Sequence, residues 1–213
     1  MKKFYFLFLA TMLLLGLTAC GSEESASSDK SEEKVEEQTE ETTSTQSEEA
    51  AKPEVNENAK YAEMFKITLP AVTEKTLELS QESYDFIVSN HTLFPAKTDA
   101  DINKAKQIAD ASITAKHLNK NAQPYFTKMA TFQGTVVTVE EVPLDGGETV
   151  SVTHVIDNEM NSYQVIMYKG TGDILEDDTV RFWGAPVGPY SFENVSGGST
   201  NVQVFFGSHM QKM

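Results

Sequence analysis

The stretch that decides the fold is Thr179-Val180-Arg181-Phe182-Trp183-Gly184-Ala185. Val180 and Phe182 alternate with Arg181 and Trp183, and a period of two sends alternate side chains to opposite faces, as a strand requires. The same period recurs on both sides of it. Residues 128–141, 148–157, 161–169 and 200–207 read as four more strands; in the last, Val202, Val204 and Phe206 alternate with Gln203 and Phe205. Turn chemistry separates the runs: Asp145-Gly146-Gly147 is a hairpin signal, Asp157-Asn158-Glu159 a second, and Gly170-Thr171-Gly172-Asp173 closes the third strand. Five short strands in about 80 residues make poor facing sheets, so a closed barrel, which leaves no free edge, is expected over a sandwich.

Ahead of the strands the period is helical. Phe65, Leu69, Val72, Thr76, Leu79, Ser83, Phe86 and Asn90 step by four and three. Pro70 interrupts that stripe, which predicts either a kink at residues 67–69 or a second helix starting near Pro70. His91-Thr92-Leu93-Phe94-Pro95 forms a corner. Thr98 followed by Asp101 then approximates a capping box, opening a helix from about Asp99 to Lys116. The expected chain is α+β: an N-terminal helical hairpin in a helical region over residues 59–124, then a five-stranded OB-type barrel over 125–213.

The first 58 residues have a different character. Lys2 and Lys3 precede an apolar run from Phe4 to Leu17, which is a secretory signal over residues 1–19 and too short to span a bilayer. Cys20 is the only cysteine of the chain. Residues 21–58 carry three lysines against thirteen acids and offer almost nothing to bury, so residues 20–58 read as a disordered acidic linker holding the folded part off a membrane. Residues 59–130 are nearly neutral, residues 131–213 have three basic against eleven acidic side chains, and the whole chain carries −15. That acidity argues against nucleic acid as a partner, because affinity for a phosphate backbone rests on Lys and Arg.

Leu17-Thr18-Ala19-Cys20 followed by Gly21 resembles the lipobox of bacterial lipoproteins. The resemblance implies cleavage between Ala19 and Cys20, a diacylglyceryl group of palmitate-like chains on the Cys20 thiol, and anchorage at the extracytoplasmic face of the cell membrane. Two acyl chains hold a protein stably where one does not. Further along, Phe132-Gln133-Gly134-Thr135-Val136-Val137 and the run from Asp173 to Gly184 resemble OB-fold domains of the tRNA-anticodon-binding-like type. With Leu93-Phe94-Pro95-Ala96 and Tyr190 to Gly198 added, the chain is similar to surface lipoproteins of low-GC Gram-positive bacteria that join a helical part to a C-terminal OB domain. This likeness covers about residues 60 to 210 and implies a fold but no activity. In one respect the sequence departs from it: Asp177 stands where the family's phrase has glycine.

An OB barrel ordinarily binds through the face of its second and third strands and the adjoining loops. The candidates for a binding face are Tyr163, Tyr168, Arg181 and Trp183, with Tyr190, Phe192 and Asn194 in a long loop before the last strand. Trp183 and Tyr190 are the two expected to be exposed. His91, His117, His154 and His209 lie in a corner, a helix end, a strand and the tail, without metal-ligand spacing. His154 is in phase with Val150, Val152 and Ile156 and reads as a core or edge histidine. The chain shows no nucleophile elbow, Walker loop or dinucleotide fingerprint, so no catalytic residue, metal or cofactor is expected. The reading is a non-catalytic binding or adaptor lipoprotein of the cell envelope, its partner an envelope protein, peptide or glycan. The alternative is an envelope-stress or transport-accessory lipoprotein sensing a small ligand or ion.

Overall fold

The computed structural model describes residues 56–213; the expectations for the signal, for Cys20 and for the linker up to residue 55 fall outside the described residues. Four helices precede five strands: α1 (Lys60–Val72), α2 (Gln81–Ser89), α3 (Asp99–Ile108), α4 (Ala115–Lys120), then β1 (Ala130–Pro143), β2 (Thr149–Ile156), β3 (Ser162–Met167), β4 (Thr179–Glu193) and β5 (Ser199–Lys212). No helix among the described residues is long and apolar enough to cross a membrane.

The strands close in the order β1-β2-β3-β5-β4, with β4 returning to β1. Every pairing is antiparallel except β3 with β5. One parallel pairing inside an otherwise antiparallel five-stranded ring is the OB-fold topology. The closure turns on β1, where Thr135 pairs with both Thr179 of β4 and Ile156 of β2. Next to it, a Cβ on Gly134 would sit 2.4 Å from the Ile156 carbonyl oxygen, so only glycine lets the two strands approach this closely.

Two apolar clusters follow from the alternation. Val136, Val155, Tyr163, Val165, Val180, Phe182 and Phe205 fill the barrel, and α4, with Ala115 and Leu118 just after Ile113, packs onto the same cluster. The opposite faces of the strands form a second cluster. Val150 of β2, Ile166 of β3 and Val202, Val204 and Phe206 of β5 are buried there beneath Ala62, Phe65 and Leu69 of α1 and Ile87 of α2. The barrel is thus packed on its outer wall as well as inside.

The helical part is cut more finely than the periodicity predicts. Pro70 neither starts a helix nor separates two; it sits in the last turn of α1. Its missing N–H costs one bond near the end, and the chain then leaves the helix through Glu74 and Lys75, both at positive φ (51° and 63°). Ser80 caps α2 by accepting from the Ser83 amide. The Thr98 cap forms as predicted, its hydroxyl accepting from the Asp101 amide, but α3 ends at Ile108 and not near Lys116. The Asp110 amide bonds instead to the Met129 carbonyl, drawing the chain to the barrel, and Thr114 with His117 makes a capping box for α4.

The last two strands are longer than their alternation suggested. β4 runs to Glu193 and β5 to Lys212, so Tyr190 and Phe192 lie in a strand and not in a loop. Pro186, Gly188 and Pro189 break the sequence signal, yet the β4–β5 pairing passes them through a register shift between Pro186 and Gly188. Only the turn 194–198 is loop, and there the Asn194 carboxamide oxygen accepts from the amides of Ser196 and Gly198.

Candidate binding surface

The face by which an OB barrel ordinarily binds is the outer wall of β2 and β3, and in this chain helices α1 and α2 lie on it. Phe65 of α1 stacks on Phe206 at 4.1 Å between ring centroids, and Phe94 stacks on Phe206 from another side at 5.2 Å. Tyr168, at the end of β3, is buried and donates to Thr68 Oγ1 of α1 at 2.7 Å. The helices are also tied down at their start. Tyr61 donates to Glu148 Oε1 at 2.6 Å and Lys60 to the same oxygen at 2.9 Å, joining α1 to the β1–β2 turn, while Lys97 adds an ion pair at 3.4 Å. Burial alone would raise the Glu148 carboxyl, but these hydrogen bonds and the Lys60 and Lys97 charges outweigh it and hold it below its ordinary value.

The predicted binding residues do not come together. Tyr163 points into the barrel, fully buried; its phenol donates to Asp157 at 2.8 Å, and burial followed by that carboxylate pushes its pKa upward. The exposure expected of Trp183 and Tyr190 is not found, since each retains only 7% of its surface. Tyr190 is covered because it lies in the apolar cluster shared with α1 and α2, which also holds Phe192 and, from the connection between those helices, Leu77. Phe192 is half-buried with its ring edge-on to His154 at 5.9 Å, and Asn194 is occupied with its own turn. Of the predicted set, Arg181 is exposed.

Arg181 and Trp183 do share a face, and it is a different one. They lie on the outside of β4, where the register sets Arg181 opposite Gln211 and Trp183 opposite His209 on β5, with Gln133 opposite Arg181 on β1. Trp183 and His209 stack at 5.7 Å, and Lys106 of α3 stands over the indole at 5.0 Å while donating to Gln211 at 2.8 Å. Arg181 donates to Gln133 at 2.8 Å. The His209 imidazole is pushed down to about 4, first by burial and then by the positive charges of Lys169 and Lys106. Sequence reasoning missed Lys106, Lys169, His209 and Gln211. His209 and Gln211 were within reach, because they continue the alternation of β5 past Gly207, whereas nothing in the spacing brings Lys106 of α3 to this wall.

The other histidines have local roles. His154 is half-buried against Ser162 at 3.2 Å and lowered by burial, in keeping with its phase; His91 contacts the Val88 carbonyl and His117 caps α4.

No protein-family model and no curated protein sequence matches the chain. Solved structures similar to it include a Plasmodium falciparum SSB in complex with single-stranded DNA, 11% identical, covering 40% of this chain and 93% of that chain at a TM-score of 0.28. Another is the mitochondrial single-stranded DNA binding protein Rim1 from S. cerevisiae, 14% identical, covering 40% of this chain and 91% of that one at 0.27. The argument from net charge against nucleic acid as a partner does not hold, and that expectation is corrected. Its weakness is physical: a count over the chain or over the acidic segment 131–213 does not say where the charges stand, Arg181 lies exposed on β4, and within about 10 Å the local charges decide.

Proposed function

We propose that this protein is a lipid-anchored lipoprotein on the extracytoplasmic face of the cell membrane, where its OB barrel acts as a non-catalytic binding or adaptor module. The observation that carries the reading is the run Leu17-Thr18-Ala19-Cys20-Gly21, placed directly after a short apolar segment that follows Lys2 and Lys3. An acidic run of 38 residues, 21–58, then lies between Cys20 and the helical region in the sequence. Support for a binding role comes from the barrel itself: its usual binding wall serves as a platform for the helices, and Arg181 on β4, with Gln133 and Gln211 opposite it, is exposed.

The test is fractionation of cells making the native chain and Cys20→Ala, with incorporation of a labelled fatty acid. The native chain is expected in the membrane fraction and labelled, and the variant unlabelled and released or retained as precursor. A Cys20→Ala chain that partitions and labels like the native one overturns the proposal.

A further inference from the structure

We infer that the free edge of β1, residues 137–143, takes up an extended basic segment of a partner protein as an added strand. The inference rests on the binding-module reading and gives it a surface and a partner class. It concerns neither the β2–β3 face that α1 and α2 occupy nor the Arg181 face of β4.

The backbone supplies the first argument. β4 pairs with β1 only from Ala130 to Thr135, and the Val136 amide and carbonyl then meet Asp178 and Asp177 of the loop before β4. From there to Pro143 the pairing continues with β2 alone, past a register shift between Val136 and Thr138. The Leu144 amide donates across the hairpin to Glu148. Counting back by two, Val142, Glu140 and Thr138 also turn their backbone groups to β2, so Val139 and Glu141 turn theirs outward. Among the described residues nothing bonds to the outward N–H and C=O groups of these two. Exposure agrees: Val137, Thr138, Glu140, Glu141 and Pro143 are exposed, so the stretch is open on both faces as well as along its edge. β4 likewise loses β1 beyond Gly184, but there Pro186 and Pro189 supply no N–H and residues 185–188 are buried. The β1 edge is the one a strand can reach.

The side chains along the edge choose its occupant. Val139 packs with the barrel cluster and Val142 with the outer one, which puts Glu140 on the outer face, opposite Val152 of β2. Glu141 stands on the other face, its carboxylate accepting from Thr171 Oγ1 at 2.7 Å. Exposed acids also lie at the two ends of the edge, Asp177 beside Val136 and Asp145 in the β1–β2 turn. A second copy pairing edge to edge would bring Glu140 and Glu141 alongside their own counterparts, and like charges on neighbouring strands are destabilising. A strand that alternates Lys or Arg with β-branched residues instead meets Glu140 with a cation on one face and lies against Val139 on the other. The carboxylates that guard the edge against self-pairing thus select a basic strand.

The experiment uses the full-length chain in detergent and a fluorescent peptide, Lys-Val-Lys-Thr-Lys-Val-Lys-Thr. Its controls are a fully N-methylated form, which keeps the charge and loses the N–H donors, and a form with Glu for every Lys. The parent peptide is expected to bind at low salt and both controls several-fold more weakly. Glu140→Lys should weaken binding several-fold, as should Val139→Pro, which removes an outward donor and no hydrogen bond of the fold. Glu82→Lys on α2, an equal change of charge elsewhere, should leave it unchanged, and thermal melting of each variant checks folding. Amide hydrogen exchange of the native chain reads the edge without any substitution. Val139 and Glu141 should exchange fast in the free chain and slowly with peptide bound, whereas Thr138 and Glu140 are slow in both. Absence of binding at low salt, equal binding of the N-methylated form, indifference to Glu140→Lys or unchanged exchange at Val139 and Glu141 would each overturn the inference. So would slow exchange of those two amides in the free chain together with a dimer in sedimentation, which would give the edge to a second copy. The fractionation of Cys20→Ala is unaffected by any of these results, so anchoring and strand addition fail separately.

Discussion

The rings of Phe65 and Phe206 lie face to face, 4.1 Å between centroids and 9° from parallel, one on helix α1 and the other on the outer wall of strand β5. Both are fully buried. This contact makes the helical part a cover of the barrel and not an appendage to it.

Truncating that contact should therefore weaken the whole described unit. Phe65→Ala is expected to cost about 3–5 kcal/mol, the range for removing a buried phenyl ring. Helix and barrel should unfold together, so far-UV circular dichroism and the fluorescence of Trp183, the only tryptophan, should report one shared midpoint. Two separated transitions, with only the first moved by Phe65→Ala, would mean that the helices fold apart from the barrel.

The Glu148 junction predicts a pH dependence. Its folded carboxyl is held below the ordinary 4.5, so the folded state prefers the ionised form. Stability from this group is present above about 4.5 and is lost as pH falls through the lower folded value, when the unfolded chain binds the proton more readily. Glu148→Ala should cost about 1–3 kcal/mol at neutral pH, as expected for a charged hydrogen-bond acceptor shared by Tyr61 and Lys60, and should flatten the decline in stability between pH 5 and pH 3. Denaturant midpoints of both chains across that range provide the check; a variant whose acid limb matches the native one would remove Glu148 as its cause.

Asp177 stands where the resembling phrase has glycine, and the backbone shows why glycine would suit it: φ is 71°, in the left-handed region. The turn nonetheless forms, with the Asp177 amide donating to the Val136 carbonyl at 2.9 Å. Aspartate tolerates this conformation better than most residues but still bears a cost. Asp177→Gly should leave the fold intact and stabilise it by about 0.5–1 kcal/mol, less the entropy that glycine adds to the unfolded chain. Thermal denaturation decides; a clear loss of stability would show that the carboxylate contributes something the turn geometry does not reveal.

Much of the architecture is legible in the sequence itself. Alternation in Val180–Trp183 and Val202–Phe206, with turn residues at 145–147 and 157–159, determined five strands, because period two follows from backbone geometry alone. The number of strands and their shortness made closure the economical solution. Helix caps at Thr98 were readable for the same local reason: a hydroxyl reaches an amide three residues on.

The surface was not legible, since alternation says that two faces exist and not what covers each. Trp183 reads as an exposed residue of the barrel's outer face, yet α3 brings Lys106 over it, and nothing in the alternation says that α1 covers the wall holding Phe206. Likewise Tyr163 is polar enough to suggest solvent, and only the barrel's closure turns it inward onto Asp157. Local chemistry fixes the period, the caps and the turns because its partners lie within a few residues. Exposure and charge on the finished walls depend on contacts such as Lys106 with Gln211, 105 residues apart, which exist only once the chain has packed.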